Sequence, residues 1–217
     1  SYPVDLHVRQ LKELLESVGV SGPVDLVGLS FGGSVITTFA DRYPGQVRTL
    51  VYMDPGFRSP YNLPAFAGIP WLWSGLTAIF DERYWAEQQM TDFAHPDRFP
   101  DWPEKYREQM KYKGFRMARL SEMVSNARED QSSEVARVGQ HEWPVLVIWG
   151  KQDRTVPFEN NSEWLLGQMP HARLFAVEDA GHLPQWEQPQ MVNEELIGLD
   201  RKSTRLNSSH VALSRMP

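Results

Sequence analysis

One short stretch, VDLVGLSFGG at residues 24–33, constrains the fold of this chain more than any other. It begins with an apolar run of the kind that is typical of fully buried parallel strands. Helical spacing of apolar residues resumes at Val35 and stops at Pro44. The pattern therefore predicts a strand, a sharp turn and a helix, with Ser30 on the turn.

The same alternation continues elsewhere in the chain. Strands are predicted at residues 24–27, 47–52, 145–149 and 172–177. Helices are predicted at residues 4–18, 35–43 and 159–169, with a last one from about Gln185. Strands that alternate with helices imply an α/β fold with a mostly parallel sheet, flanking helices and right-handed crossovers.

Between Pro55 and Pro144 this alternation disappears, and aromatic residues and methionines become frequent. We interpret this part as an inserted helical cap at residues 57–142, between two core segments at 1–56 and 143–199. Most of its aromatic residues fit the core of the cap, and some fit the apolar roof of a pocket. The aromatic residues meant here are Trp71, Trp73, Phe80, Tyr84, Trp85, Phe93, Trp102, Tyr106, Tyr112 and Phe115.

Composition and charge exclude several classes of function. The net charge of −6 and the lack of a basic stripe argue against a nucleic-acid partner. No apolar run approaches the length of about 18 residues that a membrane span needs. The chain has no cysteine, which removes disulfides and most zinc sites, and we predict neither a metal nor a cofactor. A reducing, cytoplasmic location is favoured, and the oligomeric state is left open.

The last part of the chain differs from the rest. Residues 200–217 contain four Arg or Lys residues and one acidic residue, so the remaining chain is strongly acidic. Asp200 to His210 match one reading frame of a common sequencing-library adapter. We interpret 200–217 as a non-native tail rather than a natural basic one, and leave it out of the fold prediction.

Gly28, Ser30 and Gly32 match the pattern G-x-S-x-G. In this pattern a sharp strand-to-helix turn holds a serine in a strained conformation, with its hydroxyl above the sheet. The turn needs small residues on both sides because neighbouring backbone is close there. A dinucleotide-binding loop needs glycine at the position of Ser30, and a phosphate-binding P-loop needs Lys before Ser or Thr, so neither fits. A tight turn with a capping serine remains an alternative.

A serine nucleophile needs a base and an acid that orients the base. Asp153, in GKQDRTVP, follows the strand predicted at 145–149, and His182, in AGHLPQWEQP, lies between the last strand and the last helix. Asp153 could instead cap the following helix, and Asp54, in YMDPG, is an alternative acid at the end of another strand. His182 could serve only to structure its loop.

GLSFGG, GKQDRTVP and AGHLPQWEQP occur in the order serine, aspartate, histidine, and with them residues 1–199 resemble the α/β-hydrolase fold family. The resemblance implies that Ser30 is the nucleophile, His182 the general base and acid, and Asp153 the residue that holds the imidazole. It also implies that the backbone amide of Phe31 is one oxyanion-hole donor.

The resemblance also implies features that this chain does not contain. A complete member begins with about four more strands, and a loop after one of them supplies the second oxyanion donor. We therefore expect a fragment with an open edge at an apolar strand, poorly soluble and nearly inactive by itself, from an active parent.

The family contains several reactions. Serine at position 30 argues against the haloalkane dehalogenase and epoxide hydrolase branches, which have aspartate there. Hydrolysis of a carboxylic ester with a hydrophobic acyl or aryl group fits an aromatic-rich cap. The alternative is carbon–carbon hydrolysis of meta-cleavage products: GHLPQWE is similar to the histidine motif of those enzymes, but Leu29 and Leu183 stand where they tend to have asparagine and tryptophan. Thioester or amide cleavage, or a ligand-binding receptor, are the other candidates.

Overall fold

The structure is a computed structural model that describes residues 3–57, 82–126 and 130–199. Three of the cap aromatics, Trp71, Trp73 and Phe80, lie outside these residues. The tail at 200–217 also lies outside them.

The order of helices and strands follows the predicted alternation. The first part of the chain contains α1 (Val4–Ser17), β1 (Val24–Leu29), α2 (Phe31–Arg42), a 3-10 turn (Pro44–Gln46) and β2 (Val47–Met53). The insert contains α3 (Glu82–Gln88), 3-10 turns at Gln89–Asp92 and Pro96–Arg98, α4 (Trp102–Met110) and α5 (Phe115–Asn126). The remaining elements are α6 (Ser132–Val138), β3 (Val145–Gly150), α7 (Phe158–Gln168), β4 (Arg173–Val177), α8 (Pro184–Glu187) and α9 (189–199).

The strands form one parallel sheet in the order β1, β2, β3, β4 within the described residues. Every residue of β3 is buried, as expected of a strand that is covered on both faces. One face carries a core that includes Val8 of α1, Phe39 of α2 and Trp149 of β3. The other face packs against α9 through Val192. This architecture confirms the predicted α/β fold.

The strand β1 lies at one end of this sheet, in the part of the chain that the structure describes. Its Val27 side chain is 53% exposed although the strand is otherwise apolar apart from Asp25. As far as the described residues go, β1 therefore has the open edge that the sequence led us to expect.

Helix α6 packs on the core helix α2, although the predicted cap range of 57–142 includes it. Arg137 makes two hydrogen bonds of 2.8 Å to the carboxylate of Asp41, and Gln131 donates to Thr38. Val135 is fully buried in the core beneath them. These contacts favour a cap that ends before α6, and the division of the chain into domains remains a prediction.

An aromatic cluster joins the insert to the end of the chain. Phe93 is 2% exposed, stacks on Phe99 at 4.3 Å and meets the edge of Trp102 at 5.1 Å. Trp102 in turn contacts Trp186 of α8. These side chains form a packed core, whereas Tyr112 is 70% exposed. Among the described helices, none has both the length and the apolar character that crossing a membrane requires.

Candidate active site

Four consecutive strands of the sheet each lead into one polar residue. Ser30 follows β1, Asp54 follows β2, Asp153 lies in the turn after β3, and His182 lies in the loop after β4. The carboxyl ends of parallel strands meet at one edge of the sheet. The topology therefore brings all four residues to this edge.

Ser30 occupies a strained turn between β1 and α2. Its backbone has φ 52° and ψ −119°, a region that side-chain-bearing residues rarely adopt. Its amide donates to the carbonyl of Met53 at 2.9 Å, and its own carbonyl accepts from Gly33 and Gly56. A capping serine is extended, and its hydroxyl accepts a bond from the helix, but Ser30 makes no such bond. The capping alternative therefore does not describe this residue.

The glycines around Ser30 have different steric roles. A Cβ on Gly28 would lie 2.6 Å from the carbonyl carbon of Gly32 and 2.8 Å from the nitrogen of Gly33, so only glycine fits. A Cβ on Gly32 would meet no atom of the described residues within 4 Å, so their packing does not require this position to be small, contrary to the expectation. The second constrained position is Gly33, where a Cβ would lie 2.7 Å from the Cβ of Pro55.

Phe31 is the first residue of α2, so its amide has no acceptor within the helix. The positive end of the helix dipole lies at the same place. This N–H can stabilise a negative oxygen beside Ser30.

Asp153 uses its two carboxylate oxygens differently. Oδ1 accepts the amides of Thr155 at 2.8 Å and Val156 at 2.9 Å, which closes the turn after β3. Oδ2 lies 2.8 Å from Nδ1 of His182, and both side chains are almost fully buried. Because α7 begins only at Phe158, Asp153 stabilises its own turn rather than the helix.

His182 is held from both sides of its loop. Its amide donates to the carbonyl of Asp92 in the insert at 2.7 Å. The buried carboxylate of Glu187 accepts the amides of Gly181 at 2.6 Å and His95 at 3.0 Å. Glu187 was not among the predicted site residues, although an acidic residue in the otherwise uncharged segment HLPQWEQP was a signal. For Asp92 the sequence carries no comparable signal.

Asp54, the alternative acid, is fully buried and lies beside Asp153. Its Oδ1 accepts the amide of Gly150 at 2.9 Å, and its Oδ2 has no hydrogen-bond partner among the described residues. An oxygen of Asp54, an oxygen of Asp153 and a ring nitrogen of His182 all lie within 4.8 Å of one another. Burial, followed by the negative charge of Asp153, raises the pKa of Asp54 well above its usual value.

Ser30 and His182 lie at the same sheet edge, but no hydrogen bond joins their side chains in the described part of the chain. Such bonds are often long before a substrate is present. The structure thus pairs His182 with Asp153 directly and brings Ser30 only to their neighbourhood.

Three other histidines and Asp179 make contacts of a different kind. His7 packs against the ring of Phe31, His141 stacks on Trp143, and His171 is exposed. Asp179 is in a turn with φ 53° and pairs with His95 and Arg98 of the insert. These are the contacts of packing and turn-forming residues.

Comparison with known proteins gives one consistent family. The model of the "Alpha/beta hydrolase family" matches residues 1–195. "Lipase 3" of Moraxella sp. is 25% identical over 195 residues, which cover 86% of this chain and 58% of that protein. A "2-hydroxy-6-oxononadienedioate/2-hydroxy-6-oxononatrienedioate hydrolase" of Burkholderia vietnamiensis is 29% identical over 205 residues, or 91% of this chain and 69% of that protein.

Solved structures share the same architecture. A thermophilic esterase from Thermogutta terrifontis has a TM-score of 0.75 at 23% identity, over 93% of this chain and 73% of that one. The 2-hydroxy-6-oxo-6-phenylhexa-2,4-dienoate hydrolase of a Rhodococcus strain has a TM-score of 0.72 at 23% identity, over 93% of this chain and 74% of that one. At this identity the likeness concerns the fold. With the family model matched along residues 1–195, this chain belongs to the alpha/beta hydrolase family.

Proposed function

We propose that this chain carries the catalytic triad of a serine hydrolase, with Ser30 as nucleophile, His182 as general base and acid, and Asp153 as the residue that orients the imidazole. The observation that carries the proposal is the buried 2.8 Å bond between His182 Nδ1 and Asp153 Oδ2. A bond from Nδ1 to a carboxylate leaves Nε2 as the nitrogen that accepts a proton.

The reaction proceeds in two stages. Ser30 Oγ attacks the carbonyl carbon of an ester while its proton passes to Nε2 of His182. The tetrahedral oxyanion accepts a hydrogen bond from the amide of Phe31. Asp153 stabilises the imidazolium of His182 by accepting a hydrogen bond from Nδ1–H. Collapse breaks the ester bond, and His182 gives the proton to the leaving alcohol. Water then attacks the acyl-enzyme with the same base, which releases the carboxylic acid and restores Ser30.

The substrate that we propose is a carboxylic ester with a hydrophobic acyl or aryl group. The names of two relatives, "Lipase 3" and "Lipase 1", support this choice. The site needs no cofactor for this chemistry. The proposed partner is therefore a small hydrophobic ester. The alternative to an enzyme is a non-catalytic relative that binds a ligand.

A second candidate is hydrolysis of a carbon–carbon bond in a meta-cleavage product. The specific observation that favours it is a set of relatives named as such hydrolases, 26–29% identical to this chain. The same triad geometry can serve both reactions.

A covalent probe tests the proposal. A fluorophosphonate should label the complete product of the gene that encodes this chain, and Ser30→Ala should abolish the labelling. Ser133→Ala, which removes an exposed serine on α6, is the matched control and should leave it unchanged. Asp153→Asn should lower kcat by about 10⁴-fold. Absence of labelling in the unsubstituted protein would refute the triad and favour a ligand-binding protein.

A substrate panel separates the two reactions. We expect turnover of esters of increasing acyl chain length, and little turnover of 2-hydroxy-6-oxo-6-phenylhexa-2,4-dienoate. The opposite preference would assign the carbon–carbon reaction instead.

A further inference from the structure

We propose that Asp54 carries a proton at neutral pH and donates it in a hydrogen bond to the carboxylate of Asp153, as a positioning residue for the acid of the triad. This inference rests on the function proposed above. It gives a role to the second buried carboxyl group at the site, which the reaction does not use.

The two carboxyl groups share a buried environment. Asp54 is fully buried and Asp153 is 5% exposed, so neither is well solvated. One carboxylate oxygen of Asp54 lies within 4.8 Å of one carboxylate oxygen of Asp153. Two ionised carboxylates at this separation in a buried site repel strongly, and one of such a pair keeps a proton.

The hydrogen-bond donors around the two carboxyl groups determine which group holds the proton. Asp153 accepts three N–H groups, from Thr155, Val156 and His182, and each of these bonds stabilises the ionised form. Asp54 accepts a single N–H group, from Gly150. The uneven number of donors assigns the proton to Asp54.

The second oxygen of Asp54 also favours a proton on this group. Oδ2 of Asp54 is buried without a hydrogen-bond partner among the described residues. An unpartnered buried carboxylate oxygen is unfavourable, whereas a protonated carboxyl group at Asp54 is a donor, and the neighbouring carboxylate of Asp153 is an acceptor. The proton therefore satisfies Asp54 and adds a fourth donor to Asp153.

Among the described residues, no Lys or Arg acts on Asp54 in a way that would reverse this assignment. The ionisable groups that act on Asp54 are Asp153 after β3 and Glu187 of α8, and His182 after β4 lies within the same cluster. Burial comes first among the causes that raise the pKa of Asp54, and the two carboxylates add to it; within the described part of the chain, the Gly150 amide is the one group that lowers this pKa.

The backbone restricts which variants are informative. Asp54 has φ 43°, a conformation that asparagine and glycine tolerate and most other residues do not. Asp54→Asn keeps a donor towards Asp153 and an acceptor for Gly150. Asp54→Gly keeps the backbone conformation and removes the side chain.

Infrared difference spectroscopy tests the proton directly. At pH 7 the wild-type protein should show a protonated-carboxyl C=O band that Asp54→Asn lacks. Asp179→Asn is the matched control, because Asp179 has a similar φ but an exposed side chain whose pKa is lowered by His95, and it should leave the band intact. A wild-type protein without the band, or a band that survives in Asp54→Asn, would overturn the proposal.

Kinetics test the positioning role. Asp54→Asn should keep kcat within about threefold of wild type, and Asp54→Gly should lower kcat about tenfold with little change in KM. Equal kcat in the three proteins would show that Asp54 does not position Asp153. Stoichiometric bound metal in the purified protein would also overturn the proposal, because the cation would replace the proton. The infrared result does not depend on turnover, so a failure of the triad in the fluorophosphonate experiment remains distinguishable.

Discussion

At the scale of single residues, the site is shaped by contacts that are only a few ångströms long. Ser30 takes a conformation with φ 52° because its amide and carbonyl are both bonded to the chain around β2 and α2. Gly28 permits this turn because backbone atoms occupy the place of its missing Cβ. The conformation of Ser30 therefore depends on these backbone bonds and on Gly28 rather than on the serine alone.

The two motif glycines should respond differently to alanine. Gly28→Ala should lower the free energy of unfolding by about 1–3 kcal/mol, because the new Cβ collides with backbone that cannot move aside easily. Gly32→Ala lies on α2, where the new Cβ meets none of the described residues, and should be neutral or stabilising by up to about 1 kcal/mol. Urea denaturation measures both, and fluorophosphonate labelling should slow only in Gly28→Ala. Equal destabilisation by the two variants would contradict this assignment.

Asp54 should make the stability of the protein depend on pH. Its pKa in the folded state lies above its unfolded value, so the folded protein holds a proton that the unfolded chain releases. The associated stability is complete below the unfolded pKa of about 3.9 and is lost as the pH rises towards the folded pKa. Asp54→Asn removes this loss.

The free energy of unfolding of Asp54→Asn should therefore exceed that of wild type by a margin that grows with pH. The margin grows by up to about 1.4 kcal/mol per pH unit while only the unfolded chain is deprotonated. Urea denaturation between pH 4 and pH 8 measures it, with the lowest pH as the internal reference. A margin that stays constant with pH would show that Asp54 is ionised in the folded protein.

At the scale of secondary-structure elements, the triad residues lie in loops that the insert and α8 hold in place. Asp92, at the end of a 3-10 turn of the insert, accepts the amide of His182 through its carbonyl and the hydroxyl of Thr155 through its carboxylate. Glu187 of α8 bonds the amides of Gly181 and His95. The loops after β3 and β4 are thus tied to each other through the insert.

Removal of the charge on Glu187 should loosen the histidine loop. Glu187→Gln places an amide NH₂ against one of two buried N–H donors, and hydrogen bonds to charged groups contribute about 1.5–3 kcal/mol. We expect a loss of stability of that order, measured by urea denaturation, and slower fluorophosphonate labelling. Glu178→Gln, an exposed acidic residue after β4, is the control and should behave as wild type. Wild-type labelling in Glu187→Gln would contradict the anchoring role.

The bond between Asp92 and Thr155 should couple the insert to the turn of Asp153. In a double-mutant cycle, Asp92→Ala and Thr155→Val should show a coupling energy of about 1 kcal/mol in the free energy of unfolding. Thr155→Val leaves the backbone amide that bonds Asp153 in place. Additive effects of the two substitutions would mean that the bond does not contribute to stability.

At the scale of the whole molecule, the core is well formed on both faces of the sheet, but its β1 edge is open within the described residues. An exposed edge strand presents unpaired backbone groups to other chains. Val27 adds an apolar side chain, 53% exposed, to that edge.

The 217-residue chain should therefore self-associate as its concentration rises. Val27→Lys should reduce the association, because a charged side chain on an edge strand disfavours pairing with another edge. Val18→Lys, at a valine outside the sheet that is 62% exposed, is the matched control and should have little effect. Sedimentation velocity over a range of concentrations measures both variants. A monomer at every concentration would contradict the prediction.

The sequence by itself determined the features that depend on local chemistry. Periodicity and turn residues predicted the four strands, the helices around them and the turn at Ser30, because burial of one face and glycine in a tight turn leave a local pattern. The order of Ser30, Asp153 and His182 along the chain pointed to the family that the comparison confirms.

Only the tertiary structure decided which distant groups meet. Asp54 and Asp153 each follow a strand, and local pattern could not show that His182 bonds Asp153 while Asp54 lies beside the pair. The tight contact at Gly33 rather than Gly32 depends on Pro55, which the packing of α2 on β2 brings close. The physical reason is common to these cases: hydrogen bonds and steric contacts act over a few ångströms, between residues that only the packed sheet brings together.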